Sequence, residues 1–348
     1  MYEVDNGRYW AGGANALASL ISPLRAIRTA SDKGMGEAFS CPCKLTRHAL
    51  NGVTQTDSDM DYNAIKEYLL AVDENMLNPS VLYHYTTIET FEKLVSKDAD
   101  LLCTHYMDLN DDVEFKKGYF YFRDHCGNEE LKELLDKYWI ALRKLQRIHS
   151  DSTWVMSFST ERDSLSQWRA YTDRQRGGVA IGFCKAALEA AVLERNSKPH
   201  DGFSVALLPC LYYGSGDDKR LDGLMAFLFE NLPDASSPTY DKELKAAIHL
   251  FASIVKDKSF EQEKEWRLIV QTDDTEDCEG ASVIADKARI PVGFTNDSGF
   301  RIGEMMQEVI LSPHGDSRRL MHGVWLSKNL SKKLKYKTPT SKLPFVGR

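Results

Sequence analysis

The residues best suited to chemistry in this 348-residue chain are three glutamates at alternate positions, Glu261, Glu263 and Glu265, with Arg267 two residues further on. The stretch from Trp266 to Val270 is aromatic and β-branched, which is typical of a strand. If the strand begins at Glu261, all three carboxylates project from one face and raise one another's pKa. Such an arrangement costs stability, which indicates a site that needs it. The alternative is a solvated helix or turn that becomes a strand only at Trp266.

A histidine lies at a predicted junction between a strand and a helix. Residues 81–85 predict a short strand, and Thr86 and Thr87 predict the cap of a helix over 88–96. Because the start of a helix offers unpaired N–H groups, such junctions often bind ligands. His84 could therefore face a ligand, or it could be a satisfied structural residue.

Two serines share one side of another predicted strand. The strand covers residues 154–159, and its alternation puts the hydroxyls of Ser157 and Ser159 on the same side. A helix capped at 163–164 follows and carries Trp168 and Tyr171 on one face. These two aromatic residues are typical of a core, but they could also stack on a flat ligand.

These residues must be positioned by a domain that contains both strands and helices. Further strands are predicted at 101–104, 179–183, 205–213, 308–313 and 333–337, and helices near 14–30, 60–75, 129–148, 185–194, 220–230, 240–257 and 317–326. The strands mix alternating and continuous apolar runs. We therefore expect an α+β fold with a split, mixed sheet and additional peripheral helices. In residues 1–80, glycine-containing and polar runs interrupt two predicted helices, so we expect a partly helical N-terminal extension there. Residues 81–348 predict a single domain.

Composition excludes several classes of protein. The chain is 43% hydrophobic and 27% charged, which is typical of a soluble globular protein. A net charge of −7 excludes a protein that binds nucleic acid through its overall charge. The seven scattered cysteines form no paired CxxC spacing, which favours reduced thiols and a cytoplasmic location. The grouping Cys41, Cys43 and His48 lacks a second cluster, so we expect no metal. No apolar run is long enough to span a membrane.

Several short segments resemble, in order and spacing, a bacterial family known only as a domain of unknown function. The resemblance covers about residues 81–348, and its segments are 82–86, 109–111 with Glu114, 157–159 with Trp168 and Tyr171, 178–183, 263–267 and 341–345. Membership of this family implies no established activity.

A more distant resemblance, to ADP-ribosyltransferases, implies a chemistry. In that family a split sheet holds NAD, and three strands carry in turn a His or Arg, a Ser-x-Ser or Tyr, and a Glu-x-Glu or single Glu. His84, Ser157-Phe158-Ser159 and Glu263-Lys264-Glu265 occur here in that order. The resemblance implies that NAD is the substrate and that no metal takes part.

The resemblance also implies a role for each of these residues. His84 would hydrogen-bond NAD, Ser157 or Ser159 would steady the pocket, and an aromatic residue would stack on nicotinamide; the candidates for stacking are Tyr85, Trp168 and Tyr171. Glu265 would stabilise the positive charge that develops as the nicotinamide bond breaks. Glu263 would steer the acceptor. Arg267 would keep Glu265 ionised or grip the pyrophosphate.

We therefore expect NAD-dependent ADP-ribosyl transfer or NAD glycohydrolysis, with a protein or nucleic acid as acceptor, in a toxin or phage-defence effector. The alternative is a non-catalytic module that binds a nucleotide or a protein, in which Glu265 and Arg267 form a structural ion pair. A weaker alternative is a phosphodiester enzyme or RNA binder that uses the basic C-terminal end, but the sequence lacks a carboxylate–histidine metal cluster.

Overall fold

The computed structural model describes residues 60–95, 100–109, 113–127, 129–144, 153–173, 175–197, 203–214, 218–233, 236–272, 282–284, 287–292, 302–314, 339 and 341–343. It is an α+β protein, as predicted, and its helices pack on an antiparallel sheet. None of the helices in these ranges is both long and apolar enough to cross a bilayer.

The helices and strands alternate irregularly along the chain. The α-helices are α1 (Tyr62–Val72), α2 (Ile88–Leu94), α3 (Glu114–His125), α4 (Glu129–Lys144), α5 (Leu165–Tyr171), α6 (Lys185–Asn196), α7 (Lys219–Glu230), α8 (Tyr240–Ile254) and α9 (Ile302–Met305), with short 3₁₀ helices at Tyr106–Asp108 and Lys258–Glu263. The strands are β1 (Val81–Thr87), β2 (Leu102–His105), β3 (Thr153–Ser159), β4 (Gly178–Cys184), β5 (Phe203–Pro209), β6 (Leu211–Tyr213), β7 (Val255–Asp257), β8 (Glu265–Thr272), β9 (Ser282–Ile284), β10 (Lys287–Pro291) and β11 (Met306–Leu311).

Strand β3 is the centre of the main sheet. One of its edges pairs with β8 over its full length, from Thr153 opposite Gln271 to Ser159 opposite Glu265, and β5 pairs with the far edge of β8. The other edge of β3 is shared between two strands. Tyr83 of β1 is opposite Ser159 at one end, and Thr104 of β2 is opposite Val155 at the other.

The sheet therefore opens between β1 and β2. Beyond β1 it continues through β4 to β11, and beyond β2 through β10 to β9. We call the opening the fork; it is bounded by His84 of β1, Ser157 of β3 and Thr104 of β2. The sheet thus has two diverging branches that share one edge of β3.

The two faces of the sheet pack against different helices. Face A, which carries Met156 and Phe158, contacts α2 and α6 through a large apolar cluster. Face B, which carries Ser157 and Ser159, is covered over β5 and β8 by α1, α3, α7 and α8. Because side chains alternate along a strand, a residue's position in the register determines which face it occupies.

Three expectations need correction. The sheet was expected to be mixed, but every pairing in the main sheet is antiparallel; among the described strands only β6 and β7 pair in parallel, as a separate ladder. The predicted strand over 205–213 breaks at Cys210, where the chain leaves β8 and β6 pairs with β7 instead. The predicted helix over 240–257 ends at Ile254, where β7 begins.

Helix α1 packs on the edge of the sheet. Its Tyr62 hydroxyl lies 2.8 Å from Ser204 Oγ and donates to Gln271 at 3.0 Å, and Ile65 and Leu69 are buried in the cluster beneath face B. The rest of the proposed extension, residues 1–59, lies outside the described residues, as do the predicted helices at 14–30 and 317–326 and the strand at 333–337.

Candidate functional site

The glutamate run does not form one continuous strand. Residues Lys258–Glu263 form a 3₁₀ helix whose first turn is capped by Asp257, and Lys264 then adopts a left-handed conformation with φ 44°. Strand β8 begins only at Glu265. The expectation of three carboxylates on one strand face is therefore wrong, because the left-handed turn separates Glu263 from Glu265. Glu261 is exposed on the 3₁₀ helix, as the alternative of a solvated turn predicts.

Glu265 is buried, and both of its carboxylate oxygens are paired. Its Oε1 accepts a hydrogen bond from Arg267 Nε at 2.8 Å. Its Oε2 accepts one from Lys256 Nζ at 2.5 Å and one from Arg267 Nη2 at 3.2 Å. Only 5% of Glu265 is exposed. The ion pair between Glu265 and Arg267 that the non-catalytic alternative requires is therefore present.

Two further carboxylates complete this group of charges. Glu114, the first residue of α3, pairs with Arg267 and lies 3.3 Å from Lys256 Nζ. Glu263 Oε2 accepts a hydrogen bond from Lys256 at 2.7 Å. We call Glu114, Lys256, Glu263, Glu265 and Arg267 the charge cluster. With every group ionised, three carboxylates face two cations, so the cluster carries a formal charge of −1.

The pKa values distinguish Glu263, at the end of the 3₁₀ helix, from Glu265, at the start of β8. Burial raises the pKa of Glu265, but Arg267 and Lys256 outweigh burial and lower it to about 2. Burial also raises the pKa of Glu263, and Lys256 only partly offsets this, so the result stays above the ordinary value. Glu265 is therefore a permanently ionised anchor, whereas Glu263 is the carboxylate that takes up a proton more readily.

Lys256 and Glu114 were not predicted as site residues. Glu114 lies in a segment that carries the family resemblance, but its type and position gave it no role. Lys256 follows the apolar end of α8, where a lone lysine that is 3% exposed breaks the hydrophobic run. This charge within an apolar run is the sequence feature by which Lys256 could have been predicted as a site residue.

The predicted stacking residues Tyr85 and Trp168 are occupied by packing. Their rings meet edge to face with centroids 4.7 Å apart, and Trp168 is fully buried. The Trp168 indole donates to Asp163 at 2.7 Å. The Tyr85 hydroxyl donates to the carbonyl of Glu161 at 2.7 Å and accepts from Ser164 N–H at 3.0 Å. Both side chains hold the loop between β3 and α5.

Tyr171 and Ser159 lie on the side of the charge cluster. The pKa of the Tyr171 phenol is raised by burial and by the nearby carboxylates of Glu263 and Glu265, and the residue remains half-buried. Ser159 Oγ donates to the carbonyl of Glu263 at 2.7 Å and accepts from Glu161 N–H at 3.0 Å. Ser159 thus fixes the backbone at Glu263, and Tyr171 is the predicted aromatic residue that can still meet a ligand.

His84 is not brought to the charge cluster. Tyr83 is opposite Ser159, so alternation puts Tyr83 with Glu265 on face B and directs His84 away from them. The imidazole lies edge-on to Phe158 of face A, and its Nδ1 lies 2.9 Å from the carbonyl oxygen of Ser157. The structure thus brings Ser159, Glu263, Glu265 and Arg267 together, with Tyr171 beside them. Ser157 joins them on face B, since it is opposite Arg267, whereas His84 lies at the fork and contacts only the Ser157 carbonyl oxygen.

No group of metal-ligating side chains occurs within the described ranges, and the Cys41, Cys43 and His48 grouping lies outside them. Compared with known families, the chain matches the family described as "Protein of unknown function (DUF2971)" over residues 167–268. The match runs from α5 into β8, covers less than a third of the chain, and supports the resemblance to a domain of unknown function. Neither a curated protein nor a solved structure matches the chain.

Proposed function

We propose that the protein binds NAD on face B beside the charge cluster and cleaves the bond between nicotinamide and ribose, transferring ADP-ribose to a macromolecule or to water. The observation that carries this proposal is the state of Glu263. Its Oε2 is paired with Lys256, whereas its Oε1 has no hydrogen-bond partner among the described residues, and its side chain is 17% exposed. A carboxylate oxygen is therefore available at the rim of a buried cluster.

The charge of the cluster suits this substrate. The nicotinamide ring of NAD is cationic, and positive charge moves to the ribose as the bond breaks. Carboxylates beside the ribose stabilise the transition state, in which the charge is on the ribose, more than the ground state, in which it is on the ring. The bonding electrons leave with the ring nitrogen, which gives neutral nicotinamide. Tyr171 would stack on the ring as it departs.

The residues of the charge cluster then divide into one that takes part in proton transfer and others that position it. Water or an acceptor hydroxyl attacks the ribose carbon and gives its proton to Glu263, whose raised pKa suits a general base. Glu265, Arg267 and Lys256 act as positioning residues, since their charges are committed to one another. This reverses the order of importance that the resemblance implied for Glu263 and Glu265. His84 has no part in this mechanism because its imidazole lies at the fork, where its Nδ1 is hydrogen-bonded to the carbonyl of Ser157.

The test is release of nicotinamide from labelled NAD by the purified full chain. A Glu263→Gln variant should lose activity by roughly 10²–10⁴-fold, the range for removal of a general base. Glu261→Gln is the matched control, since Glu261 lies two residues earlier in the same 3₁₀ helix and is exposed. Equal activity in the two variants would remove Glu263 from the mechanism.

A second candidate is the non-catalytic nucleotide- or protein-binding module, favoured by the complete pairing of Glu265. Thermal unfolding with NAD or ADP-ribose separates the two, because a ligand that binds the folded state raises its stability by mass action. A shift without release of nicotinamide, with any acceptor tried, supports this module. If NAD neither raises the unfolding temperature nor releases nicotinamide, NAD is not a ligand, and both candidate functions that use NAD are contradicted.

The proposed substrate indicates the compartment in which the protein acts. NAD is an intracellular molecule, and Cys103 and Cys210 are buried free thiols, as a reducing compartment favours. We therefore infer a cytoplasmic enzyme that modifies a protein or nucleic acid, or depletes NAD, as a toxin or phage-defence effector would. Expression in cells with measurement of their NAD content tests this role, and the Glu263→Gln variant is the control.

A further inference from the structure

A second polar region lies at the fork, and it meets the charge cluster at Ser157, which is opposite Arg267. Thr104 of β2 is opposite Arg289 of β10, and both are half-buried on face B. Ser157 lies on the same face, two residues from Val155, the partner of Thr104 on β3. The opposite face of these strands carries buried apolar side chains, such as those of Cys103 and Ile290. Thr104, Ser157 and Arg289 thus share one face of this branch.

Arg289 is the charged group of this region. Its Nε is buried and has no hydrogen-bond partner, and no carboxylate of the described chain lies within ion-pair distance of it. The nearby Asp108 carboxylate accepts the backbone N–H of Ala288 at 2.7 Å instead. A buried charged donor without a partner is strongly unfavourable, so the site is incomplete as it stands.

His84 contributes an unused acceptor at the same opening. A carbonyl oxygen can only accept, so Nδ1, 2.9 Å from the Ser157 oxygen, must carry the proton. Burial lowers the pKa of His84, and the positive charge of Arg289 lowers it further, so the ring is neutral near pH 7. Its Nε2 therefore carries a lone pair, and no described residue donates to it.

We propose that the fork binds the phosphate group of a small phosphorylated sugar or nucleotide. Arg289 donates to the phosphate oxygens, and the hydroxyls of Thr104 and Ser157 supply further donors. A guanidinium fork matches the geometry of phosphate oxygens, and several donors suit a group with several acceptors. His84 Nε2 accepts from a hydroxyl on the sugar. This site does not depend on cleavage of NAD.

Calorimetric titration of the full chain with inorganic phosphate, ribose and ribose 5-phosphate tests the proposal. Ribose 5-phosphate should bind at least about 10-fold more tightly than inorganic phosphate, and ribose alone should give no heat. Arg289→Gln should weaken binding of ribose 5-phosphate by about 10- to 100-fold, as expected when a charge-assisted pair is lost. His84→Gln should reduce the affinity for ribose 5-phosphate to that for inorganic phosphate.

Arg162→Gln is the matched control, because Arg162 is an exposed arginine already paired with Glu308, and it should bind as the unaltered chain does. Thermal unfolding confirms that each variant is folded. Absence of binding by the unaltered chain, or equal binding by the Arg289→Gln variant, would overturn the proposal. Release of nicotinamide is measured in parallel: its absence contradicts the NAD mechanism alone, since the fork is judged by binding.

Discussion

The charge cluster and the fork belong to one antiparallel sheet, but they differ in how completely their polar groups are paired. In the charge cluster, Glu265 has both oxygens occupied, and Arg267 donates to Glu265, to Glu114 and to the carbonyl of Ser253. At the fork, Arg289 has a buried donor without a partner, and His84 uses one ring nitrogen. The first region is saturated and the second is open.

This difference indicates which polar groups of the protein can still bind a ligand. A saturated buried pair holds the chain together but has little capacity left for a new partner, except at a rim such as Glu263. An open donor in a buried setting gains most when a ligand completes it. Two arginines of one sheet, Arg267 and Arg289, therefore have opposite expected roles, one in stability and the other in binding.

Exchanging each arginine for methionine tests the contrast directly and should give the largest effect. Arg267→Met leaves Glu265 and Glu114 buried with only Lys256, and breaking a buried pair in this way costs roughly 3–5 kcal/mol. Arg289→Met removes a half-buried guanidinium whose Nε has no hydrogen-bond partner, so its effect on the free energy of unfolding should stay within about 1 kcal/mol. Urea denaturation of both variants measures the difference, and equal losses would remove the distinction between the two regions.

The elements that frame both regions could be predicted because their apolar side chains repeat regularly. The predicted strands at 81–85, 154–159 and 179–183 agree with β1, β3 and β4 to within two residues at each end. Three-residue strands such as β6 and β7 carry no such repeat. The break at Cys210 and the end of α8 at Ile254 were missed for that reason.

The site was less predictable because it depends on register and on contacts between distant segments. Glu265 and Arg267 share a face by alternation alone, and the structure pairs them. The face that His84 occupies depends on Tyr83 lying opposite Ser159, which no local pattern encodes. Lys256 reaches Glu263 and Glu265 only because the chain turns back at Lys264. Arg289 is opposite Thr104, far away in sequence, and nothing in its own segment marks it.

The second-largest effect is expected in acid, which should destabilise the charge cluster. The pKa of Glu265 lies at about 2 in the folded protein, against 4.5 for an ordinary glutamate, because Arg267 and Lys256 outweigh its burial. Its contribution is therefore complete above about pH 4.5 and lost as the pH falls towards 2. The expected loss is roughly 3 kcal/mol. Urea denaturation across this window measures it, and a Glu265→Gln variant that shows the same pH slope would exclude Glu265 as its source.

A buried histidine gives a smaller effect in a higher pH window. Both ring nitrogens of His249 have a hydrogen-bond partner, as both carboxylate oxygens of Glu265 do. Tyr138 Oη lies 3.1 Å from Nε2, and Thr153 Oγ1 lies 3.2 Å from Nδ1. Burial lowers its pKa to about 3, so the folded protein resists protonation that the unfolded chain accepts below pH 6.5. Stability should fall by roughly 2 kcal/mol between pH 6.5 and 5.

The same urea series from pH 7 to 5 measures this effect, and a His249→Gln variant should show a flatter slope than the unaltered chain. The pKa of His84 at the fork is also lowered by burial, so a His84→Gln variant is measured beside it. An unchanged slope in the His249→Gln variant, together with a flatter slope in the His84→Gln variant, would assign the loss to His84 and thus to the open region.

The smallest expected effect concerns Lys264, the turn between Glu263 and Glu265. Its side chain pairs with Glu161, but the two side chains are 45% and 37% exposed, and such surface pairs contribute about 0–1 kcal/mol. Its positive φ favours glycine, so Lys264→Gly relieves backbone strain while losing the ion pair and gaining entropy in the unfolded state. These terms nearly cancel, and the free energy of unfolding should change by less than about 1 kcal/mol. Lys264→Ala keeps the strain and loses the pair, so it should be the less stable of the two variants. The opposite order would show that the positive φ at this position costs less than the unfolded-state entropy that glycine adds.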